Sequence, residues 1–233
     1  MLEQTRRLAL GALASLALVA CGGAGSGPAA GDGQVTSGQD GASQDMVMGS
    51  PEAPVTLIEY ASWTCGACLQ FHNDVMPMLK SEYLDTGKVR LVFREFPTAP
   101  HNVSVAGFAI ARCAGPDAYF DVIEELFERQ SAVLSLVRSG GQVKQALVQI
   151  SMNQGVGNEA ALDACLQDES IRRAISTAIG RGDAMGVNAT PTLFLDGEKL
   201  EGFKWRSADG MREVLDEALG ETVESSDTGA NDG

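Results

Sequence analysis

The stretch "EYASWTCGACLQFH", residues 59–72, places two cysteines two residues apart, immediately after a segment rich in β-formers. The preceding "PVTLIEYAS" (residues 54–62) reads as a strand. Beyond the pair, Phe71, Val75, Met78, Leu79 and Tyr83 recur at helical spacing, and Pro77 should kink that helix. A C-x-x-C pair at such a junction lies at a helix N-terminus, where free amide groups and the macrodipole favour a negative charge. Cys65 is thereby expected as the exposed attacking thiolate, with Cys68, nearly a turn further in, as the buried resolving thiol. A structural zinc site is the competing use of the spacing. It would want a second ligand pair, and only His72 and His101 are available as histidines. His72 follows Cys68 by four residues and could complete a Cys65, Cys68, His72 metal set, but reads better as a helix-surface or packing residue.

The rest of the chain supplies elements for a mixed α/β fold. "KVRLVFREF" is a second strand, closing a β-α-β unit. The period then turns helical over residues 102–114, 117–137, 141–152, 158–167 and 169–182, with Asn158 as a candidate N-cap. "TPTLFLDGEKLEGF" reads as a β-hairpin turning at Asp196-Gly197, and "SADGMREVLDEAL" as a closing helix. Two α/β half-units are thus interrupted by a helical insertion at about residues 101–183.

The two ends are different material. Arg6 and Arg7 precede the apolar run "LALGALASLALVA", a basic n-region and an h-region too short to span a membrane stably. Its end, "LVAC", resembles the lipobox of bacterial lipoproteins, which implies removal of residues 1–20 and acylation of Cys21. Residues 21–45 would then be a flexible Gly/Ser/Asp tether, the folded part residues 46–220, and the acidic residues 221–233 a disordered tail. The formal charge of −14 and the lack of a basic stripe disfavour nucleic acid as a partner. Export also places the remaining cysteines in an oxidising compartment. With Cys65 and Cys68 paired by proximity, Cys113 and Cys165 are left as a structural bridge, worth roughly 4 kcal/mol by loop entropy. Two buried free thiols or a second redox pair are the alternatives.

Residues 55–97, "VTLIEYASWTCGACLQFHNDVMPMLKSEYLDTGKVRLVFREFP", closely resemble the active-site half of DsbA-like thiol–disulfide oxidoreductases of the thioredoxin superfamily. "GVNATPTLFLDGEKLEG" resembles the second half, which contains that superfamily's cis-proline loop. The resemblance implies a thioredoxin fold, a central mixed β-sheet flanked by helices, carrying an α-helical insertion. It makes Cys65 and Cys68 the redox pair and Glu59 a buried acid near the resolving sulfur, able to take the proton released by Cys68. An outward-facing strand position is the other reading of Glu59. Thr190 and Pro191 match the cis-proline dipeptide, whose backbone presents hydrogen-bonding groups to an extended substrate. The chain departs from the family between the cysteines. Gly66-Ala67 stands where oxidases often carry Pro-His, so a stabiliser of the Cys65 thiolate is missing and the pair is expected to be less oxidising.

The function expected is a lipid-anchored, monomeric oxidase of the envelope or periplasm acting on unfolded or folding exported proteins with free thiols. A membrane partner, a quinone-linked oxidase of the DsbB type, would reoxidise it, and no organic cofactor is required. A reductase or isomerase fed by a DsbD-type donor is the main alternative, and a metal-binding lipoprotein the remote one.

Overall fold

The computed structural model describes residues 45–221. The proposed signal segment, Cys21, the tether up to residue 44 and the tail from residue 222 lie outside the described residues. Two strands form the centre of the sheet, β2 (Val55–Ala61) and β3 (Val89–Glu95), preceded in the chain by a short β1 (Met46–Met48). β2 and β3 pair in parallel, and β1 adds to the outer side of β3 in antiparallel fashion. On the other side β2 pairs antiparallel with β4 (Thr192–Leu195), which turns back into β5 (Glu198–Lys199). The resulting order is β1-β3-β2-β4-β5, a mixed sheet of the thioredoxin type. The β4–β5 turn uses Asp196 at φ 47° and Gly197 at φ 89°, the two positive φ values that a tight primed hairpin turn demands. β1 has no counterpart in the sequence reading, because three residues are too few to display a period.

The connection from β2 to β3 is less regular than one kinked helix. α1 (Gly66–Asp74) ends at Val75, and α2 (Met76–Leu79) carries Pro77 in its first turn. Proline has no N–H for the Asn73 carbonyl, so the ladder breaks just ahead of it. The chain then widens into a single π-helical turn, Lys80–Leu84.

Six helices separate β3 from β4: α3 (His101–Cys113), α4 (Tyr119–Glu128), α5 (Gln130–Ser139), α6 (Val143–Asn153), α7 (Glu159–Gln167) and α8 (Glu169–Ala184). The helix expected over residues 117–137 is two, broken at Arg129 (φ −90°, ψ 0°). Asn158 caps α7, its side chain accepting from the amides of Ala160 and Ala161. After β5 a short 3₁₀ turn, Lys204–Arg206, leads into α9 (Ala208–Leu219).

Apolar side chains fill both faces of the sheet. Leu57, Leu79, Leu91, Leu193, Trp205 and Leu215 form one core with α1, α2 and α9. Phe93, Phe108, Ile110, Tyr119, Ile123 and Leu126 form a larger one that joins the insertion to the active-site end of the sheet. Gly107 allows that junction: a Cβ there would lie 2.3 Å from Trp63 Nε1, so only glycine lets α3 approach this closely.

The described residues that flank 46–220 are also tied to the fold. Asp45, read as the last tether residue, accepts from Arg94 at 2.9 and 3.1 Å and from Arg181 at 2.9 Å. Glu221, read as the first tail residue, pairs with Lys88 at 3.0 Å. Among the described residues no helix is long and apolar enough to cross a membrane.

Candidate active site

β2 delivers the chain into the turn Ser62–Cys65, and Cys65 is the N-cap of α1 in extended conformation (φ −87°, ψ 124°). Its backbone already serves the helix, with Leu69 N–H donating to the Cys65 carbonyl at 3.1 Å. An oxygen side chain normally caps the N2 and N3 amides. Here a sulfur occupies that place, so its ionised form is the better cap. Cys65 and Cys68 are both free, and the site is in its dithiol form. The Cys65 pKa is lowered to about 5, first by the hydrogen bond from the Cys68 thiol, then by the Thr190 side chain and the amides of Cys68 and Ala67. Partial burial opposes this without reversing it. Cys68 is fully buried, and its pKa is pushed well above the ordinary thiol range by desolvation, by its bond to Cys65 and by the negative charges of Glu59 and Cys65. One sulfur is therefore ionised and reachable at neutral pH while its neighbour keeps its proton.

Gly66 and Ala67 bring no side-chain donor or charge to the pair; Ala67 contributes only its backbone amide. The Thr190–Pro191 peptide is cis, and the Thr190 carbonyl lies 3.3 Å from Cys65 Sγ, where it accepts from the thiol. Residues 125 positions apart are thus brought together at one point. Glu59 sits on β2 between Phe93 and Leu193 of the neighbouring strands, wholly buried and close enough to Cys68 to act on it electrostatically. Strand alternation left its direction open because both faces of β2 are covered, which removes the polar–apolar contrast. Cys113 and Cys165 are joined in a disulfide between the end of α3 and α7, with Cα atoms 6.0 Å apart.

Two features have no counterpart in the sequence reading. Gln130, first residue of α5, donates to the carbonyls of Trp63 at 2.7 Å and Cys65 at 3.0 Å. This is what the break at Arg129 achieves: it turns the insertion's side chain onto the active-site loop. A buried hydroxyl cluster holds the same loop, with Ser62 Oγ 2.9 Å from both Thr64 Oγ1 and Ser104 Oγ, and Thr64 Oγ1 2.9 Å from Thr98 Oγ1. No local pattern marks residues that meet across such sequence distances. His72, expected as a helix-surface or packing residue, faces Glu59 at 3.4 Å and lies over the Phe127 ring, centroids 4.1 Å apart. It is a packing residue, but one aimed at a carboxylate. Among the described residues no group of three or more His, Cys, Asp or Glu side chains is placed to hold a metal ion, so Cys65, Cys68 and His72 do not form such a set.

A C-x-x-C pair capping the first helix and facing a cis-proline, on a sheet of this order, defines a dithiol–disulfide site on a thioredoxin fold. Residues 42–217 match the family described as thioredoxin. The chain belongs to that family. It is 27% identical over 179 residues to a putative protein-disulfide oxidoreductase of Rickettsia bellii, covering 76% of this chain and 66% of the relative. It is 24% identical over 188 residues to disulfide bond formation protein D of Bacillus subtilis, covering 78% and 81%. Among solved structures, alpha-DsbA1 of Wolbachia pipientis superposes with a TM-score of 0.65 at 26% identity, over 76% of this chain and 92% of that one. The chain thus spans slightly less than two thirds of the length of the Rickettsia bellii relative.

Proposed function

We propose that the chain is a protein thiol–disulfide oxidoreductase that forms disulfides in exported proteins through Cys65 and Cys68. The observation that carries this is the opposed ionisation of the two sulfurs, with Cys65 lowered to about 5 and Cys68 raised. Stabilising the thiolate stabilises the dithiol form, and a pair more stable when reduced gives up its disulfide readily. That supports an oxidase over a reductase.

In the reaction a substrate thiolate attacks Cys65 of the disulfide form, and Cys68 leaves with the electron pair and takes a proton. A second substrate thiolate attacks the substrate sulfur of the mixed disulfide, and Cys65 leaves as the thiolate its cap favours. Two electrons pass to the cysteine pair, so no organic cofactor is needed. Glu59 holds or accepts the Cys68 proton. The Thr190 carbonyl, beside Cys65, is placed to take an amide hydrogen bond from an extended substrate segment.

The relatives named for disulfide bond formation and protein-disulfide oxidation support this reading. Export and acylation at Cys21 rest on the basic start, the short apolar run and the "LVAC" end of the N-terminal segment. A lipid-anchored enzyme with a reduced Cys65–Cys68 pair would be recharged by a membrane oxidase of the DsbB type. Cys68→Ala tests the reading, because without its resolving thiol Cys65 should retain clients and the redox partner as mixed disulfides in cells. An empty trap counts against catalysis. A native pair found mostly reduced in cells would turn the assignment to a reductase fed by a DsbD-type donor.

A further inference from the structure

Neither oxygen of the Glu59 carboxyl has a hydrogen-bond partner, and neither does Nε2 of His72. The three atoms are buried, and the nearest approach between the two residues is Nε2 to Oε2 at 3.4 Å. Buried polar groups without partners are few in folded proteins, and each calls for an explanation such as a catalytic role. Glu59 and Cys68 are completely buried, so a proton moved from sulfur to carboxylate is still enclosed. The His72 side chain is 14% exposed. It follows Cys68 by four residues on α1, which puts the two on one face of the helix. Phe127 of α4 covers the imidazole, and the edges of Phe71 and Phe93 meet it at 6.1 and 6.3 Å, so its plane is fixed.

We propose that His72 is the proton exit of the buried half of the site, passing to solvent the proton that Glu59 takes from Cys68 and returning one in the opposite direction. The inference rests on the dithiol–disulfide reading above. His72 acts through Glu59, as a positioning residue that also carries the proton onward.

The balance is clearest when a mixed disulfide on Cys65 closes. The Cys68 thiol gives its proton to the Glu59 carboxylate, and its sulfur forms the bond to Cys65. The bond between Cys65 and the outer sulfur breaks, and that sulfur leaves as a thiolate with the electron pair. Glu59 then passes the proton to neutral His72 at Nε2, and the imidazolium loses one from its other nitrogen to water. The titratable groups facing the pair are Cys68 on α1 and Tyr119 on α4, which feels the Glu59 charge and donates to Glu95 of β3 at 2.9 Å. The remaining neighbours Phe71, Phe93 and Phe127 are uncharged.

The test uses oxidised glutathione on the reduced protein, with rapid quenching and mass spectrometry to separate adduct formation at Cys65 from closure to the Cys65–Cys68 disulfide. His72→Gln keeps size and hydrogen bonding but cannot carry a proton. It should leave adduct formation within about twofold and slow closure about tenfold or more. Closure in the unaltered protein should vary with pH, and the variant should lose that part of the pH dependence. His72→Phe, which suits the aromatic surroundings, should behave the same way, and thermal melts confirm that both variants are folded. Glu59→Gln should slow the same step, and adding His72→Gln to it should slow closure no further. Closure in the folded His72 variants at the unaltered rate, or a double variant as slow as the product of the singles, overturns the relay alone. Failure of the unaltered protein to form any Cys65 adduct overturns the underlying reading, and the relay with it.

Discussion

At the scale of single residues the chemistry depends on which group carries charge at neutral pH. The folded Cys65 pKa of about 5 lies below the value of about 8.5 expected for an unfolded cysteine. A lowered pKa on an anionic group adds stability that is complete above the unfolded value and is lost as pH falls through the folded one. The dithiol form should therefore gain stability as pH rises from about 5 to about 8.5. Cys68, shifted upward, opposes further gain only above about pH 8.5. The disulfide form has neither titration. Melting temperatures of the two forms measured across this range should diverge with rising pH, and parallel curves would contradict the thiolate cap. Alkylation of Cys65 should have its midpoint near pH 5, with roughly thirtyfold more thiolate at pH 7 than an ordinary cysteine provides. The shift holds despite Gly66-Ala67, because the contributing donors are first the neighbouring Cys68 thiol, then Thr190 and two backbone amides.

At the scale of elements the active-site loop is held as much by the insertion as by the sheet. Gln130 of α5 binds two of its carbonyls, Trp63 Nε1 donates to the Ser104 carbonyl of α3 at 2.8 Å, and Ser62 meets Ser104. Trp63 is fully buried and packed over Gly107. Gly107→Ala should push the indole off α3 and cost about 1–3 kcal/mol, as overpacking of a filled site does. Urea unfolding measures the loss, and a variant as stable as the parent would show that the helix gives way at no cost. The helical periods of α3 and α6–α8 are legible in the sequence because their apolar stripes are long. The break that starts α5 at Gln130 is not, since the apolar pattern runs through it.

At the scale of the whole molecule the Cys113–Cys165 bridge spans 52 residues and ties α3 to α7 inside the insertion. Replacing both cysteines by serine should cost about 2–5 kcal/mol, most of it by freeing the unfolded chain. Calorimetry of the double variant should show this loss while Cys65 alkylation keeps its pH midpoint, because the bridge lies outside the capped turn. A shift of that midpoint would mean that the bridge takes part in the redox site. Asp45 acts at the opposite end of the chain by joining Arg94 of β3 to Arg181 of α8. The first described residue is therefore tied to both the sheet and the insertion.

The amino-acid sequence alone determined what is encoded within a few neighbouring residues: the strand running into a C-x-x-C at a helix start, the helical insertion, the Asp196-Gly197 turn and the acidic character of the chain. These follow from local dihedral preferences and apolar periods, which need no distant partner. Only the tertiary structure decided that Glu59 points inward beneath Cys68, that His72 meets it, and that Gln130 and Thr190 close around Cys65. Those contacts join residues 9 to 125 positions apart through the stacking of helices on a sheet covered on both faces, and such packing leaves no period in the sequence to read.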